Sequence, residues 1–374
     1  MGNKQSKQKK SNKPNKPNKS IKPNTPNKPN KPNKSNTPNK PNKPNTPNKP
    51  NNIQKFDNNN SNLIRKKGIS SPKFKLIKNF DNGSSIYYCF ELIDGRLYLC
   101  VCGDFFNIYN INDYNEPKKE LQIYPGVYTV SSIQAHTGNI VICTYVKDMK
   151  IFSIVNNEVK TIQTYTPEDG DRENFVYELS NGQLITMNWD GRIKLFDLEN
   201  DLYKEVKCFT PLQSFNAHKM REVEKYKIIV KGWNISNEDS KCPLYFCDLI
   251  LETVKLIKDS CLNFDIMSNK NVIIFNKNIV EIFDYKKFEI ITRINIPSDI
   301  EFKTSFLYND KTLLFGCKNE EFIEYTINEN KLIEIDRKQF QCHVNHYVRS
   351  IVKLKNDSIV VIGDTEVYIL KPEN

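Results

Sequence analysis

Residues 184–198, LITMNWDGRIKLFDL, decide the fold. An apolar segment leads to the dipeptide Asp190-Gly191, and a second segment then runs on to Phe196-Asp197. Two runs rich in apolar and aromatic residues that flank an Asp-Gly pair predict antiparallel strands joined by a tight turn. The stretch therefore predicts a β-hairpin.

The second half of this hairpin recurs along the chain. Seven copies occur, FNIYN, MKIFS, KLFDL, LYFCD, VEIFD, FIEYT and VYILK, each preceded by an apolar strand behind a turn. They are marked by the aromatic or apolar residues Tyr109, Phe152, Phe196, Cys247, Phe283, Tyr325 and Leu370. Successive markers are 43, 44, 51, 36, 42 and 45 residues apart. Periods of about 40–45 residues are typical of propeller blades.

This unit resembles the WD-repeat family, whose repeat closes an alternating strand on Trp-Asp; Phe196-Asp197 takes the place of that pair. No copy keeps the Trp, and three keep the Asp. The family's His position is matched loosely by His218 and His346, ahead of inner strands expected to start near Val223 and Val348. The resemblance implies an all-β, seven-bladed β-propeller that binds protein partners.

The seventh copy ends near the last residue, at Lys371, so blade 7 needs an outer strand from elsewhere. Residues 74–80, FKLIKNF, alternate like a strand just before the first blade. We expect this segment to close the ring, which removes an edge that would otherwise template aggregation. The propeller is predicted to occupy residues 73–374, after a linker at 53–72.

Residues 1–52 have a composition of their own. They hold 14 of the 55 Lys and Arg residues, 11 of the 19 prolines and no Asp or Glu, so the total of +11 leaves −3 for the remainder. Residues 13–51 are thirteen unbroken triplets, mostly Lys-Pro-Asn. In a polyproline II helix, with three residues per turn, the lysines form one stripe. We interpret residues 13–52 as a disordered spacer whose lysine stripe has a function of its own. The alternative is a repeat generated by slippage in a gene of biased composition, which does nothing but separate the two ends.

The N-terminus reads Met-Gly-Asn-Lys-Gln-Ser-Lys, the N-myristoylation pattern, with Gly2 as acceptor and Ser6 and Lys7 completing the signal. One myristoyl chain binds bilayers weakly, with an association constant near ~10⁴ M⁻¹, so a second signal is needed. Nearby lysines, each worth about 1 kcal/mol at an anionic leaflet, supply it. These are Lys4, Lys7, Lys9 and Lys10. We expect residues 1–12 to be a membrane anchor; an ordinary disordered terminus is the alternative.

Three threonines replace lysines of the stripe, and each precedes a proline: Thr25, Thr37 and Thr46. They are candidate sites of proline-directed phosphorylation. A phosphate carries about −1.5 to −2 charges, so three would cancel roughly five lysine charges and weaken contact with an anionic surface.

No run of 18 apolar residues and no secretory signal is found, which predicts a cytoplasmic protein, peripheral on a membrane through its lipid anchor. The ten cysteines are then expected to be reduced and mostly buried in strands. We predict no disulfide framework.

The sequence shows no catalytic motif and predicts no enzyme, cofactor or metal site. Cys342, His343 and His346 have ligand chemistry but no evident fourth ligand, and are interpreted as an inter-blade loop. Trp189 and Trp233, at the ends of second strands, are candidates for aromatic surface on a ring face. Arg221 and Arg349 are candidate partner contacts.

The sequence therefore predicts a membrane-tethered protein-interaction scaffold. A soluble propeller adaptor whose tail binds nucleic acid or another polyanion is one alternative. The tail has no aromatic residue before Phe56 to stack on bases, which disfavours nucleic acid. A propeller enzyme with an unrecognised site is the second alternative.

Overall fold

The computed structural model describes residues 73–373, with gaps at 102–104, 114–115, 127, 147, 169–171, 235–240, 319–320 and 341–346. The expectations for residues 1–72, for Cys102 and for the loop of Cys342, His343 and His346 lie outside the described residues.

The described residues form 28 β-strands in seven four-stranded antiparallel sheets. The strands are β1 (Lys73–Asp81), β2 (Ile86–Glu91), β3 (Leu97–Val101), β4 (Phe106–Asn110), β5 (Lys118–Ile123), β6 (Thr129–Gln134), β7 (Ile140–Thr144), β8 (Met149–Val155), β9 (Glu158–Tyr165), β10 (Glu173–Glu178), β11 (Leu184–Asn188), β12 (Ile193–Glu199), β13 (Leu202–Phe209), β14 (Phe215–Glu224), β15 (Lys227–Asn234), β16 (Leu244–Asp248), β17 (Thr253–Lys258), β18 (Asn263–Ile266), β19 (Val272–Phe275), β20 (Ile279–Asp284), β21 (Glu289–Asn295), β22 (Phe302–Asn309), β23 (Thr312–Cys317), β24 (Glu321–Asn328), β25 (Lys331–Gln339), β26 (Ser350–Lys353), β27 (Ile359–Ile362) and β28 (Glu366–Glu373).

Each sheet is one blade of a seven-bladed β-propeller, which confirms the predicted fold. Blades 1 to 6 are β2–β5, β6–β9, β10–β13, β14–β17, β18–β21 and β22–β25, and blade 7 is β26–β28 together with β1. The first strand of each blade is the inner one, because one central cavity is lined by residues from all seven of these strands. All seven repeated segments recognised in the sequence are the third strands of their blades.

Burial follows the order of the strands within a blade. The second strands are apolar, and every residue is buried in β3, β7, β11, β19, β23 and β27. Outer strands such as β9 and β13 place many polar residues in solvent. Buried clusters combine side chains from neighbouring blades, as where Leu314 and Phe322 of blade 6 meet Val361 and Tyr368 of blade 7. The core is therefore a ring of interfaces between blades.

One inner strand differs from the prediction. β14 spans ten residues, so Val223 lies near its end and His218 lies inside the strand. Two bulges, next to Ala217 and Glu222, break the regular alternation of side chains along this strand. That irregularity hid its start in the sequence. In blade 7, β26 begins at Ser350, two residues after the predicted start.

The ring closes where β1 pairs with β28, from Phe74 opposite Pro372 to Asp81 opposite Glu366. The segment predicted as the donor, residues 74–80, lies within β1. Phe74 is fully buried in the cluster between blades 6 and 7 and makes an edge contact with Tyr308, with ring centroids 4.9 Å apart. Backbone pairing and side-chain packing therefore both join the start of the propeller to its end.

A recurring hydrogen bond also joins neighbouring blades. A backbone N–H in the turn after an inner strand donates to a carboxylate or amide oxygen at the end of the next inner strand or in its turn. The pairs are Ile93 to Gln134 (2.6 Å), His136 to Glu178 (2.9 Å), Ser180 to Glu222 (2.6 Å), Ser268 to Asp310 (2.8 Å) and Lys355 to Glu91 (2.6 Å). We call these five bonds the turn clasps; the last one crosses from blade 7 to blade 1.

Replacement of Phe74 by Ala should destabilise the full-length protein by about 3–5 kcal/mol, because it empties the space of a buried ring at the closure. Guanidinium unfolding followed by circular dichroism measures the change. The control is Lys75→Ala, on the same strand but exposed, which should change the free energy of unfolding by less than about 0.5 kcal/mol. Equal effects of the two variants would contradict the closing role of Phe74.

Glu324, in β24, is fully buried next to the closing strand. Phe74 presents its backbone N–H to this carboxyl, and no described side chain donates a hydrogen bond to it. Burial, and secondly Asp336, raise the pKa of Glu324 to about 8, against the opposing effect of Lys338 and Lys73. The folded protein thus keeps a proton that the unfolded chain releases near pH 4.5.

Stability should therefore fall as the pH rises from about 4.5 to 8, because the unfolded state binds fewer protons across this range. Glu324→Gln removes this cost, so its melting temperature should exceed that of the wild type by several degrees at pH 8 and match it at pH 4. Thermal unfolding at both pH values tests this. Glu199→Gln, at an exposed site, is the control. A pH-independent difference would contradict the assignment.

Candidate functional site

One end of the propeller carries exposed aromatic side chains. The second strand of a blade ends, and the next inner strand begins, at this same end, because neighbouring strands are antiparallel. We call it the connector face, defined by Tyr124, Tyr128, Tyr145, Trp189, Trp233 and Tyr347. Their exposed fractions range from 42 % for Trp189 and Tyr347 to 67 % for Tyr124. The six side chains therefore present aromatic surface to solvent instead of packing inside the blades.

An arginine joins two of these rings across blades 2 and 3. The guanidinium carbon of Arg172 lies 4.3 Å from the ring centroids of both Tyr145 and Trp189. Arg172 Nε donates to Asn174 Oδ1 at 2.7 Å, and the backbone N–H of Tyr145 donates to the carbonyl of Tyr128 at 2.8 Å. Cation–π contacts at exposed sites are worth about 0.5–1 kcal/mol each. The group is thereby ordered in advance of any binding.

Blade 4 places a second aromatic group on this face. Trp233, near the end of β15, is 54 % exposed, and its ring lies against that of His218, with centroids 4.5 Å apart. Burial, and secondly the charge of Lys231, lower the pKa of His218 to about 4. The imidazole is therefore neutral at neutral pH and serves as a flat surface beside the indole.

The central channel has a volume of about 990 Å³, and His218 is among the residues that line it. Its lining is rich in cations: Lys219, Arg221, Arg349, Lys353 and Lys355. Several of these are neutralised by neighbouring carboxylates. Lys353 Nζ lies 2.8 Å from Asp357 Oδ1, and Arg349 pairs with Asp364. The inner surface therefore attracts anions only where a cation keeps its charge uncompensated.

A second cavity of about 520 Å³ lies at the outer strands of blades 2 and 3. Lys194 lines it and is almost fully buried, with Nζ 3.1 Å from Glu173 Oε1 and 4.0 Å from Glu205 Oε2. A buried cation held between carboxylates stays in place because each partner would be costly to bury alone. We interpret this group as a fastening between β10, β12 and β13.

The cysteines are mostly inert. Six of the eight described ones are buried, whereas Cys208 is exposed and Cys242 is half-buried. Burial raises the pKa of Cys89 and of Cys247 to about 12, so these thiols are protonated at neutral pH and are poor nucleophiles.

The structure places the sequence-predicted residues as follows. Trp189 and Trp233 each have an exposed ring on the connector face, as the aromatic-surface interpretation requires. Arg221 lines the channel near the end of β14 and not near its start, and Arg349 precedes β26 and is held by Asp364. The anchor and spacer residues lie outside the described residues.

Sequence reasoning missed the Tyr145–Arg172–Trp189 stack. The sequence does contain a pattern that predicts it. Tyr145 directly follows the second strand of blade 2, and Trp189 directly follows the second strand of blade 3. Equivalent positions in adjacent blades are neighbours in space. Two aromatic residues one blade period apart therefore predict a shared surface.

No group of three or more His, Cys, Asp or Glu side chains within the described part of the chain is placed to hold a metal ion. The residues described also include no helix long and apolar enough to cross a membrane. No protein-family model and no curated protein matches this sequence. The fold and the connector face therefore carry the functional argument.

Proposed function

We propose that this chain is a membrane-tethered scaffold whose WD-repeat-like propeller binds protein partners through the connector face, without catalysing a reaction. A myristoyl group on Gly2 and the adjacent lysines hold the N-terminus at the cytoplasmic side of a membrane. The triplet repeat sets the distance between membrane and propeller.

The stack of Arg172 between Tyr145 and Trp189, on the same face as Trp233, is the observation that supports protein binding. Trp, Tyr and Arg are the residue types that dominate the energetics of protein–protein interfaces. Rigid rings bury large areas on binding and lose little conformational entropy. Because the stack is already ordered in the free protein, a partner pays less to bind it.

The charge of the tail supports the membrane half of the proposal. Residues 1–52 carry fourteen lysines and no acidic residue, whereas the remainder of the chain is slightly acidic. A myristoyl chain and a polybasic segment together give stable anchoring that neither gives alone. Fully extended, the triplet segment would reach roughly 120 Å, at about 3.1 Å per residue.

Full-length protein co-expressed with an N-myristoyltransferase should incorporate an alkyne myristate analogue and sediment with vesicles containing phosphatidylserine. Gly2→Ala should abolish the label and most of the binding. Exchange of the four anchor lysines for Gln should weaken binding by about 10²–10³-fold, since each contributes about 1 kcal/mol. Those residues are Lys4, Lys7, Lys9 and Lys10. Unlabelled Gly2, or unchanged sedimentation of Gly2→Ala, would contradict the anchor.

The same assay tests the phosphorylation sites and the nucleic-acid alternative. Replacing Thr25, Thr37 and Thr46 together by Glu should reduce vesicle binding, whereas Gln at the same positions should not. Binding of all forms to vesicles at the wild-type level would contradict the regulatory role. Preferential retention on RNA over vesicles at matched salt would favour the polyanion alternative.

Proximity labelling in cells should identify partners whose enrichment depends on the connector face. Trp189→Ala and Trp233→Ala should each weaken capture about 5–30-fold, the effect of losing an interface residue worth about 1–2 kcal/mol. Ile250→Ala and Leu251→Ala are matched controls, because these exposed apolar residues lie in a turn at the opposite end of blade 4. Equal losses in all four variants would contradict binding at the connector face.

A further inference from the structure

Blade 4 places three cations on one side of its sheet. Lys219, on β14, lies directly opposite Lys231, on β15, in the antiparallel ladder. Arg221 follows two residues after Lys219 and so points to the same side, whereas Met220 between them is fully buried on the other side. Like charges directly opposite each other on a sheet destabilise it. The protein thus maintains a cluster that costs stability in the absence of an anion.

One carboxylate faces this cluster from blade 5. Asp265 Oδ1 lies 2.9 Å from Lys219 Nζ, and its Oδ2 accepts the backbone N–H of Leu307 at 3.2 Å. Both of its oxygens are therefore already used. Lys219 Nζ also donates to Asn263 Oδ1 at 3.0 Å. Asp265 compensates one of the three positive charges.

The surroundings of the other two cations differ from those of Lys219. Arg221 is exposed in the channel, and its Nη1 donates to the carbonyl oxygen of Met220 at 2.9 Å. Within the part of the chain that the structure describes, neither Arg221 nor Lys231 is paired with a carboxylate. Burial lowers the pKa of Lys219 to about 8, and the charges of Arg221 and Lys231 add to this lowering. Counting only the described residues, the cluster thus holds three cations against the single carboxylate of Asp265, an excess formal charge of +2.

We propose that Lys219, Arg221 and Lys231 form an oxyanion site that binds a phosphomonoester carried on a side chain of the protein partner. A phosphomonoester carries about −1.5 to −2 charges at pH 7, which matches the excess charge, whereas a single carboxylate does not. The guanidinium and the two ammonium groups supply the charge-assisted donors that phosphate oxygens accept.

The position of the site connects it to the connector face. His218 directly precedes Lys219 in β14, and its ring lies against Trp233. A partner side chain that enters the channel past Trp233 would therefore reach Lys219 and Lys231 first, and Arg221 lies two residues further along β14. This inference rests on the proposed function, because the phosphate is placed on the partner that the connector face binds.

The full-length Trp189→Phe variant leaves Trp233 as the single tryptophan, so its fluorescence reports directly on the site. Titration with capped phosphoserine should give a saturable change, and capped serine should give none. Arg221→Gln and Lys231→Gln should each weaken binding at least tenfold. Lys225→Gln should not, because Lys225 lies outside the cluster, in the turn after β14, with its ammonium group over the ring of Tyr226.

Collisional quenching supplies a second measurement that does not depend on affinity. Iodide should quench Trp233 more strongly than caesium, and Arg221→Gln and Lys231→Gln should reduce that difference while circular dichroism stays unchanged. Equal quenching by the two ions in the parent protein would overturn the excess positive charge.

A titration with inorganic phosphate distinguishes free phosphate from a phosphorylated side chain as the source of the anion. Binding of both inorganic phosphate and capped phosphoserine supports a site for a phosphorylated side chain. Binding of inorganic phosphate alone, or of capped serine as tightly as capped phosphoserine, overturns it. Partner capture that persists in Arg221→Gln but is lost in Trp233→Ala would overturn the oxyanion site and leave the proposed function standing.

Discussion

Pairing of β1 with β28 is the constraint on which the rest of the structure depends. It joins residues near position 73 to residues near position 373, so all other inter-blade contacts are made within a ring of fixed circumference. Each blade buries its two faces against its neighbours, and an open ring would leave two such faces exposed. Loss of the closure would expose the apolar side chains of β27 and β28 that pack against blade 1, along with an unpaired strand edge. Closure therefore protects every blade, although it is made by one strand.

The turn clasps fix the position of neighbouring blades relative to each other in the closed ring. Hydrophobic packing between sheets is not directional and permits adjacent blades to slide. A backbone N–H that must reach a particular carboxylate, as Ser180 reaches Glu222, fixes the height of one inner strand against the next. None of the five turn clasps joins blade 4 to blade 5, where the ion pair of Lys219 with Asp265 is a directional contact of a different kind. The geometry of the channel is therefore a consequence of how the blades are registered.

Much of this fold could be predicted from the sequence, because the third strands repeat an alternating pattern at blade spacing. The closing strand was predictable for a related reason: blade 7 lacked a strand, and residues 74–80 alternated. The start of β14 was not, since two bulges interrupt its pattern. The acceptors of the turn clasps also share a sequence pattern that could have predicted them. Glu91, Gln134 and Glu178 each lie four residues before a turn glycine.

The candidate site was predicted less completely than the fold. Trp189 and Trp233 could be placed at strand ends by the repeat, but Arg172 precedes an inner strand and carries no pattern of its own. The cationic cluster was hidden because Lys219 and Lys231 are opposite each other only through the register of β14 and β15. Pairwise proximity of this kind depends on bulges and register, which the spacing of single residues does not specify.

The N-terminal tail and the cluster of Lys219, Arg221 and Lys231 are both basic, but they differ in how their charges are distributed. The chain after residue 52 has a net charge of −3, so the field of the propeller as a whole does not attract long polyanions. At physiological ionic strength, charges are screened over about 8 Å, and the cluster of Lys219, Arg221 and Lys231 therefore acts only close to β14 and β15. A small, doubly charged group fits such a local field better than an extended nucleic acid does. The tail differs from this cluster in sequence, because lysines recur in most triplets of residues 13–51, in a segment with no acidic residue. Under the proposed function, the two basic parts of the chain would therefore bind two different anions.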